Sequence, residues 1–229
     1  CEGDYALVIG QTNEGKSMIA KRIAQHISMN EQKVVVHLTY EEQADIAIHV
    51  IDSMYAGVDS TQYMKRTLDI KGRVKLKEAF DKYEQLGGKG EIILPEVSGI
   101  RRGSILDIAN IVTTYKANVL IIDQLTFTAK SLGWEDLSQY VRDLKTLARK
   151  LKIGIIGLSQ AKKDAKPVWD VGYEAAAHAE ELVRTADTAL YVAPNRDSVE
   201  VGVKLIKLIK NRRGVKDLII KLRWDLDVM

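Results

Sequence analysis

The sequence holds a single cysteine, Cys1, so no disulfide can form within the chain, and such usage suits a reducing compartment such as a bacterial cytoplasm or a phage-infected host. No window stays apolar over the roughly 18 residues that a membrane-spanning helix needs, so no membrane partner is expected. A secretory signal is missing too: Cys1-Glu2-Gly3-Asp4 is polar and runs directly into an apolar stretch. His26, His37, His49 and His178 are scattered without metal-ligand spacing and are assigned no chemistry. There is no internal repeat, no low-complexity tract and no linker, which predicts one domain over 1–229. Charge of either sign is not in large excess; a net +3 permits a nucleic-acid partner without arguing for it. The chain starts on Cys rather than Met with little before its first apolar run, so the expectation is a fragment whose N-terminal domain and linker have been removed.

What is present is the mix of an ordinary globular protein, 46% hydrophobic and 28% charged residues. Apolar runs at 5–9, 33–38, 91–94, 119–123 and 154–158 read as strands. Between them lie segments of helical period at 16–28, 41–55, 74–86, 104–115 and 137–151. Strands apolar throughout and separated by helices predict a mainly parallel sheet covered on both faces. Toward the end the pattern changes: 189–192, 199–209 and 218–224 read as consecutive strands, the last two joined by Asn211-Arg212-Arg213-Gly214 as an antiparallel hairpin.

The first apolar run is followed by Gly10-Gln11-Thr12-Asn13-Glu14-Gly15-Lys16-Ser17, which fits G-x-x-x-x-G-K-[ST]. Its placement between a buried strand and a helix is the context that pattern requires; the alternative is a chance glycine turn. Backbone N–H groups turned inward, together with the positive end of the helix, would cradle the phosphates of ATP. Lys16 would reach the β- and γ-phosphates, Ser17 would offer its hydroxyl to Mg²⁺, and the assigned segment extends through Met18. Asp123 ends an apolar strand, which puts its carboxylate at the sheet edge where open α/β folds bind ligands, and it is the second expected Mg²⁺ ligand. After the second strand, Thr39 and Glu42 match a capping box, in which both side chains serve backbone donors. That leaves Glu41 as the candidate base for the attacking water, unless both acids merely favour the start of a helix.

With these residues placed, the sequence resembles the C-terminal motor domain of the DnaB-type replicative helicases, a branch of the RecA-like ATPases, from about Gly3 to Trp224. The phosphate loop, the glutamate after strand two and the strand ending in Asp123 follow the family's order. Gly157-Leu158-Ser159-Gln160 is similar to the family's strand ending in Leu-Ser-Gln, which implies that Gln160 contacts the γ-phosphate and couples it to DNA loops. Lys210-Asn211-Arg212-Arg213-Gly214 is similar to a Lys-x-Arg-x-Gly hairpin that reaches a neighbouring subunit's ATP. Carried over, Lys210 becomes the sensor and Arg212 the arginine finger; a solvated basic turn is the alternative. The resemblance further implies a homo-oligomeric ring of six, single-stranded DNA as the track, and a primase and a loader as partners. One departure is plain: the family's Arg-Glu-Ser-Gly run has no counterpart in 171–177.

Two loops leaving the motor strands are candidates for DNA contact. One carries Lys130 and Trp134, the other Lys162, Lys163, Lys166, Trp169 and Tyr173; lysines would neutralise phosphates and aromatics would stack bases. Glu14 is unexpected in a loop built for anions. It should point away from the phosphates, either into water or toward a neighbouring subunit's basic residue such as Arg213. Two other functions share much of the pattern: a RecA-like recombination or mediator ATPase, and a nucleotide-dependent hexameric scaffold that does not unwind.

Overall fold

The computed structural model describes residues 2–85, 87, 89–100, 104–128, 134–162, 166–175, 180–198 and 201–224. Among them the order is β1 (Tyr5–Gly10), α1 (Lys16–Glu31), β2 (Val35–Thr39), α2 (Ala44–Ala56), α3 (Ser60–Met64), α4 (Ile70–Gln85), β3 (Ile92–Ile93), α5 (Ile105–Thr114), β4 (Val119–Asp123), α6 (Leu125–Thr128), α7 (Trp134–Leu151), β5 (Gly154–Gln160), α8 (Glu180–Thr185), β6 (Thr188–Val192), β7 (Val203–Asn211) and β8 (Leu218–Arg223).

The strands form a sheet ordered β3-β2-β4-β5-β1-β6-β7-β8. From β3 through β6 the neighbours are parallel, whereas β7 and β8 run antiparallel to what precedes them. The strands β1, β2, β4 and β5 are apolar along most of their length because helices cover both faces. On one face α1 packs Ile19, Ala20 and Ala24 against Val8, Ile121 and Leu158. On the other, Ile108 and Val112 of α5, Leu144 and Ala148 of α7, and Leu182 and Val183 of α8 meet Leu7, Leu120 and Ile155.

Sheet register decides what lies at each edge. Gly10 pairs with Gln160 and with Val192, and Thr39 pairs with Asp123, so the carboxyl ends of the parallel strands share one edge. β7 starts at that edge, since Val192 lies opposite Ile206, and finishes at the other, where Thr188 lies opposite Asn211. A β-bulge between Ala189 and Leu190 shifts this pairing, so that Ile209 is the extra residue on β7 between Leu208 and Lys210.

The expected helices are present with shifted bounds. The helix expected over 41–55 starts at Ala44 because Thr39 and Glu42 first close a turn: the Glu42 N–H donates to Thr39 Oγ1 at 3.3 Å, and that hydroxyl donates to the Glu42 carbonyl at 3.1 Å. The capping-box expectation is thereby corrected. The Glu42 carboxylate does not turn back to the backbone but pairs with Lys21, a lysine of α1 that the sheet and helix bury to 2% exposure and that therefore needs a counter-charge. Ser104 does cap α5, accepting the Asp107 N–H at 3.1 Å.

Candidate nucleotide site

Gly10 ends β1 and Gly15 caps α1 with φ +86°. A side chain at Gly10 would lie 2.9 Å from the Lys16 stem, and one at Gly15 would lie 2.5 Å from the Trp224 ring. Both glycines are thus required by close approach, and Gly15 by its backbone angle as well. Asn13 also takes a positive φ, +62°, which asparagine tolerates better than most residues. The loop therefore winds tightly around a space opposite Lys16.

Lys16 is 8% exposed, and its Nζ donates to the Gln11 carbonyl at 2.8 Å. Burial pulls its pKa below the usual lysine range, against the opposing pull of Asp123, Glu41 and Glu14. Ser17 hydrogen-bonds the carboxylate of Asp123, which is 4% exposed at the end of β4. Burial pushes the Asp123 carboxyl above the ordinary carboxylate range, and the nearby charge of Glu41 adds to that. A hydroxyl and a carboxylate meeting beside a buried ammonium are hard oxygen donors of the kind Mg²⁺ takes. Among the described residues no cluster of three or more His, Cys, Asp or Glu could hold a metal by itself. The pair thus fits an ion that completes its shell with water and substrate phosphates, not one held in an all-protein cage.

Glu41 is exposed at the same edge, and its Oε1 accepts a hydrogen bond from Gln124 Nε2. Gln124 directly follows Asp123 and is 5% exposed, so a buried amide orients an exposed carboxylate. Gln160 donates to the Thr12 hydroxyl, Gln11 donates to the Lys162 carbonyl at 3.1 Å, and the Ala161 N–H reaches the Gly10 carbonyl at 2.9 Å. The exit of β5 is stitched to the phosphate loop by these bonds. Met18 turns elsewhere, lining with Ile23, Met54, Ile206, Leu222 and Trp224 an apolar groove of about 720 Å³.

Glu14 corrects an expectation. Its carboxylate points neither into water nor toward a neighbour's Arg213, but accepts from Lys204 Nζ at 2.6 Å and from the Asn195 N–H at 2.9 Å within the same chain. The cause is Lys204: at 1% exposure it cannot be solvated, and Glu14 is the carboxylate within its reach. Arg213 instead pairs with Asp4 at 2.9 Å.

The hairpin carrying Lys210 and Arg212 lies at the edge opposite the phosphate loop, a strand length of about 17–20 Å away. Arg212 donates to Asp187 Oδ1 at 3.2 Å, beside Lys145 at 2.9 Å. Asp187 also accepts the Tyr5 N–H, and these partners hold its carboxyl below the usual range although burial pulls the other way. Lys210 donates to the Val183 and Arg184 carbonyls near the end of α8 and stands 6.0 Å from the Tyr173 ring.

Of the candidate DNA contacts, Lys130 and Lys163 lie outside the described residues. Lys162 is exposed, Trp169 is 57% exposed, and Lys166 is paired with Glu174 at 3.2 Å. Lys21, Gln124 and Lys204 are site neighbours that sequence reasoning did not single out. For the two lysines there was a signal in the pattern, since each interrupts an otherwise apolar stripe.

This mainly parallel sheet, with its phosphate loop leading into α1 and an acid at the end of β4, is the architecture of a RecA-like P-loop ATPase domain. The family model for the DnaB-like helicase C-terminal domain matches residues 1–170, so the chain belongs to that family. Its fold is similar to the solved ATPase domain of another DnaB-like helicase, with TM-score 0.83 and 19% identity over 100% of this chain and 84% of that one. It is also similar to a DnaB-like replicative helicase solved for its interactions with primase, with TM-score 0.78 and 19% identity, covering 99% of this chain and 56% of that one. Among curated protein sequences none matches. Membership supports an ATP-hydrolysing DNA helicase, and β6, β7, β8 and their hairpin lie beyond the residues the family model matches. No helix among the described residues is long and apolar enough to cross a membrane.

Proposed function

We propose that the chain is the motor domain of a replicative DNA helicase, hydrolysing Mg-ATP between subunits of a hexameric ring to move along single-stranded DNA and separate duplex. The observation that carries this is the convergence at one sheet edge of Lys16, the Ser17–Asp123 pair and the Gln124-oriented Glu41. The backbone N–H groups of 10–15 and the Lys16 ammonium bind the phosphates, while Ser17 and Asp123 hold Mg²⁺. When bound, the ion neutralises charge on the phosphate oxygens. Glu41 accepts the proton of the attacking water, and Gln124 holds its carboxylate toward the site. Gln160, bonded to Thr12 of the phosphate loop, carries the state of the γ-phosphate into the segment after β5, where Lys162 is exposed.

Arg212 and Lys210 cannot reach their own phosphate loop across a full strand length, so they serve the site of the next subunit, where a guanidinium stabilises developing charge. A primase and a loader are the further partners of such a ring, which works in a bacterial cytoplasm or an infected host.

The test is Mg²⁺-dependent ATP hydrolysis with and without single-stranded DNA at two salt concentrations. Stimulation by DNA that fades as salt rises is the expected result, since phosphate contacts release counterions. Hydrolysis indifferent to DNA would overturn the motor reading in favour of a nucleotide-dependent scaffold.

A further inference from the structure

Lys204, at the phosphate edge of β7, is almost wholly enclosed, with 1% of its side chain exposed. Its ammonium lies 2.6 Å from Glu14 Oε2 and 2.8 Å from Asn195 Oδ1, and 5.7 Å from the centroid of the Trp224 ring. The Trp224 ring in turn fills the space that a side chain at Gly15 would need. Two successive loop residues, Glu14 and Gly15, therefore rest on Lys204 of β7 and on Trp224, which follows β8. Both charges are felt at Lys16, whose protonated form Glu14 favours and Lys204 opposes.

A carboxylate in a phosphate loop repels the polyanion that the loop must accept, and a buried ammonium cannot stand without a counter-charge. Each group cancels the other's difficulty. Nothing in the hydrolytic chemistry above uses Lys204.

We propose that Lys204 is a positioning residue of the phosphate site: it neutralises Glu14 and holds it against β7, so that the loop can take a nucleotide polyanion with its N–H groups already aimed. The assignment rests on reading the loop as a nucleotide site. Charge and scaffolding predict different outcomes. Glu14→Gln keeps an oxygen for Lys204 and for the Asn195 N–H but removes the negative charge, leaving an unopposed ammonium near the phosphates. Lys204→Met leaves Glu14 as an unopposed anion. Both variants lose folding stability, yet their effects on nucleotide affinity have opposite sign.

The experiment is equilibrium titration of the 229-residue chain with a fluorescent ADP analogue and Mg²⁺, competed by unlabelled ADP at low and high salt, with thermal melting alongside. Lys204→Met should weaken affinity roughly ten- to hundredfold at low salt and less at high salt. Glu14→Gln should bind several-fold tighter than wild type, and the double variant should return to within about threefold of it. Weakening by both single variants, in step with lost stability, would overturn the proposal. Should Lys204→Met fail to fold, Glu14→Gln decides alone: tighter binding supports the assignment, and equal or weaker binding overturns it. A wild-type chain that binds no ADP removes the nucleotide reading and the assignment together. Wild-type binding with indifferent variants removes only the assignment.

Discussion

His37 sits in β2 with no exposed surface, and neither ring nitrogen has a hydrogen-bond partner. Burial, aided by the nearby Lys21 charge, pulls its pKa from 6.5 down to about 3. The folded chain therefore keeps this ring neutral while the unfolded chain protonates it near its ordinary value. Because the folded pKa is the lower one, the stability at issue is fully present above about pH 6.5 and drains away as pH falls toward about 3. At about pH 5 the unfolded state gains about 2 kcal/mol from this one proton, a large share of a typical domain's stability. The assay is urea denaturation of wild type and His37→Leu at about pH 7 and about pH 5. Wild type should lose about 2 kcal/mol more than the variant between those conditions. The carboxyls of Glu31, Glu174 and Asp187, held below their usual range, act mainly at lower pH and are common to both proteins. A difference between the two proteins that stays constant across this range would refute the reasoning, because it would mean that His37 takes up its proton equally well in the fold.

Two predictions concern turnover. Gln124→Leu releases Glu41 from its amide partner and should lower kcat about tenfold while leaving the KM for ATP nearly unchanged, since the phosphate contacts remain; steady-state kinetics would show the split. Arg212→Ala and Lys16→Met should each lose at least about a hundredfold in ATP turnover, and mixing the two proteins should recover part of it. Recovery arises because some interfaces then pair an intact phosphate loop with an intact hairpin. Mixtures no more active than the separate variants would place Arg212 outside the neighbour's site.

The strands and the phosphate loop were legible because their signals are local. An unbroken apolar run betrays a strand covered on both faces, and the glycine spacing of 10–17 encodes its own turn. Short elements escaped: α3 spans 5 residues, α8 spans 6 and β3 spans 2, too few for a period to show. The site's secondary contacts escaped for another reason. Glu14 meets Lys204 across 190 positions and Gln124 meets Glu41 across 83, and nothing in either neighbourhood announces the partner. Glu14 looked anomalous only because its counter-charge lay at the other end of the chain. The start of α2 was misplaced for a subtler cause, since Thr39 and Glu42 carry a capping signature but close a turn that precedes the helix.

The bulge in β7 has a geometric consequence of parity. Lys204, Ile206 and Lys210 are separated by even steps, so on a regular strand all three would point the same way. Lys204 and Ile206 do face the side of α1, but Lys210 reaches the opposite side and the carbonyls near the end of α8. The extra residue at Ile209 turns the strand's last segment over, so one edge strand presents a lysine to each layer of the molecule. Removing that residue would swing Lys210 back under α1, leave the α8 carbonyls without their ammonium, and send the hairpin out at a different angle. A single unpaired position thus sets the direction in which the domain extends its basic tip.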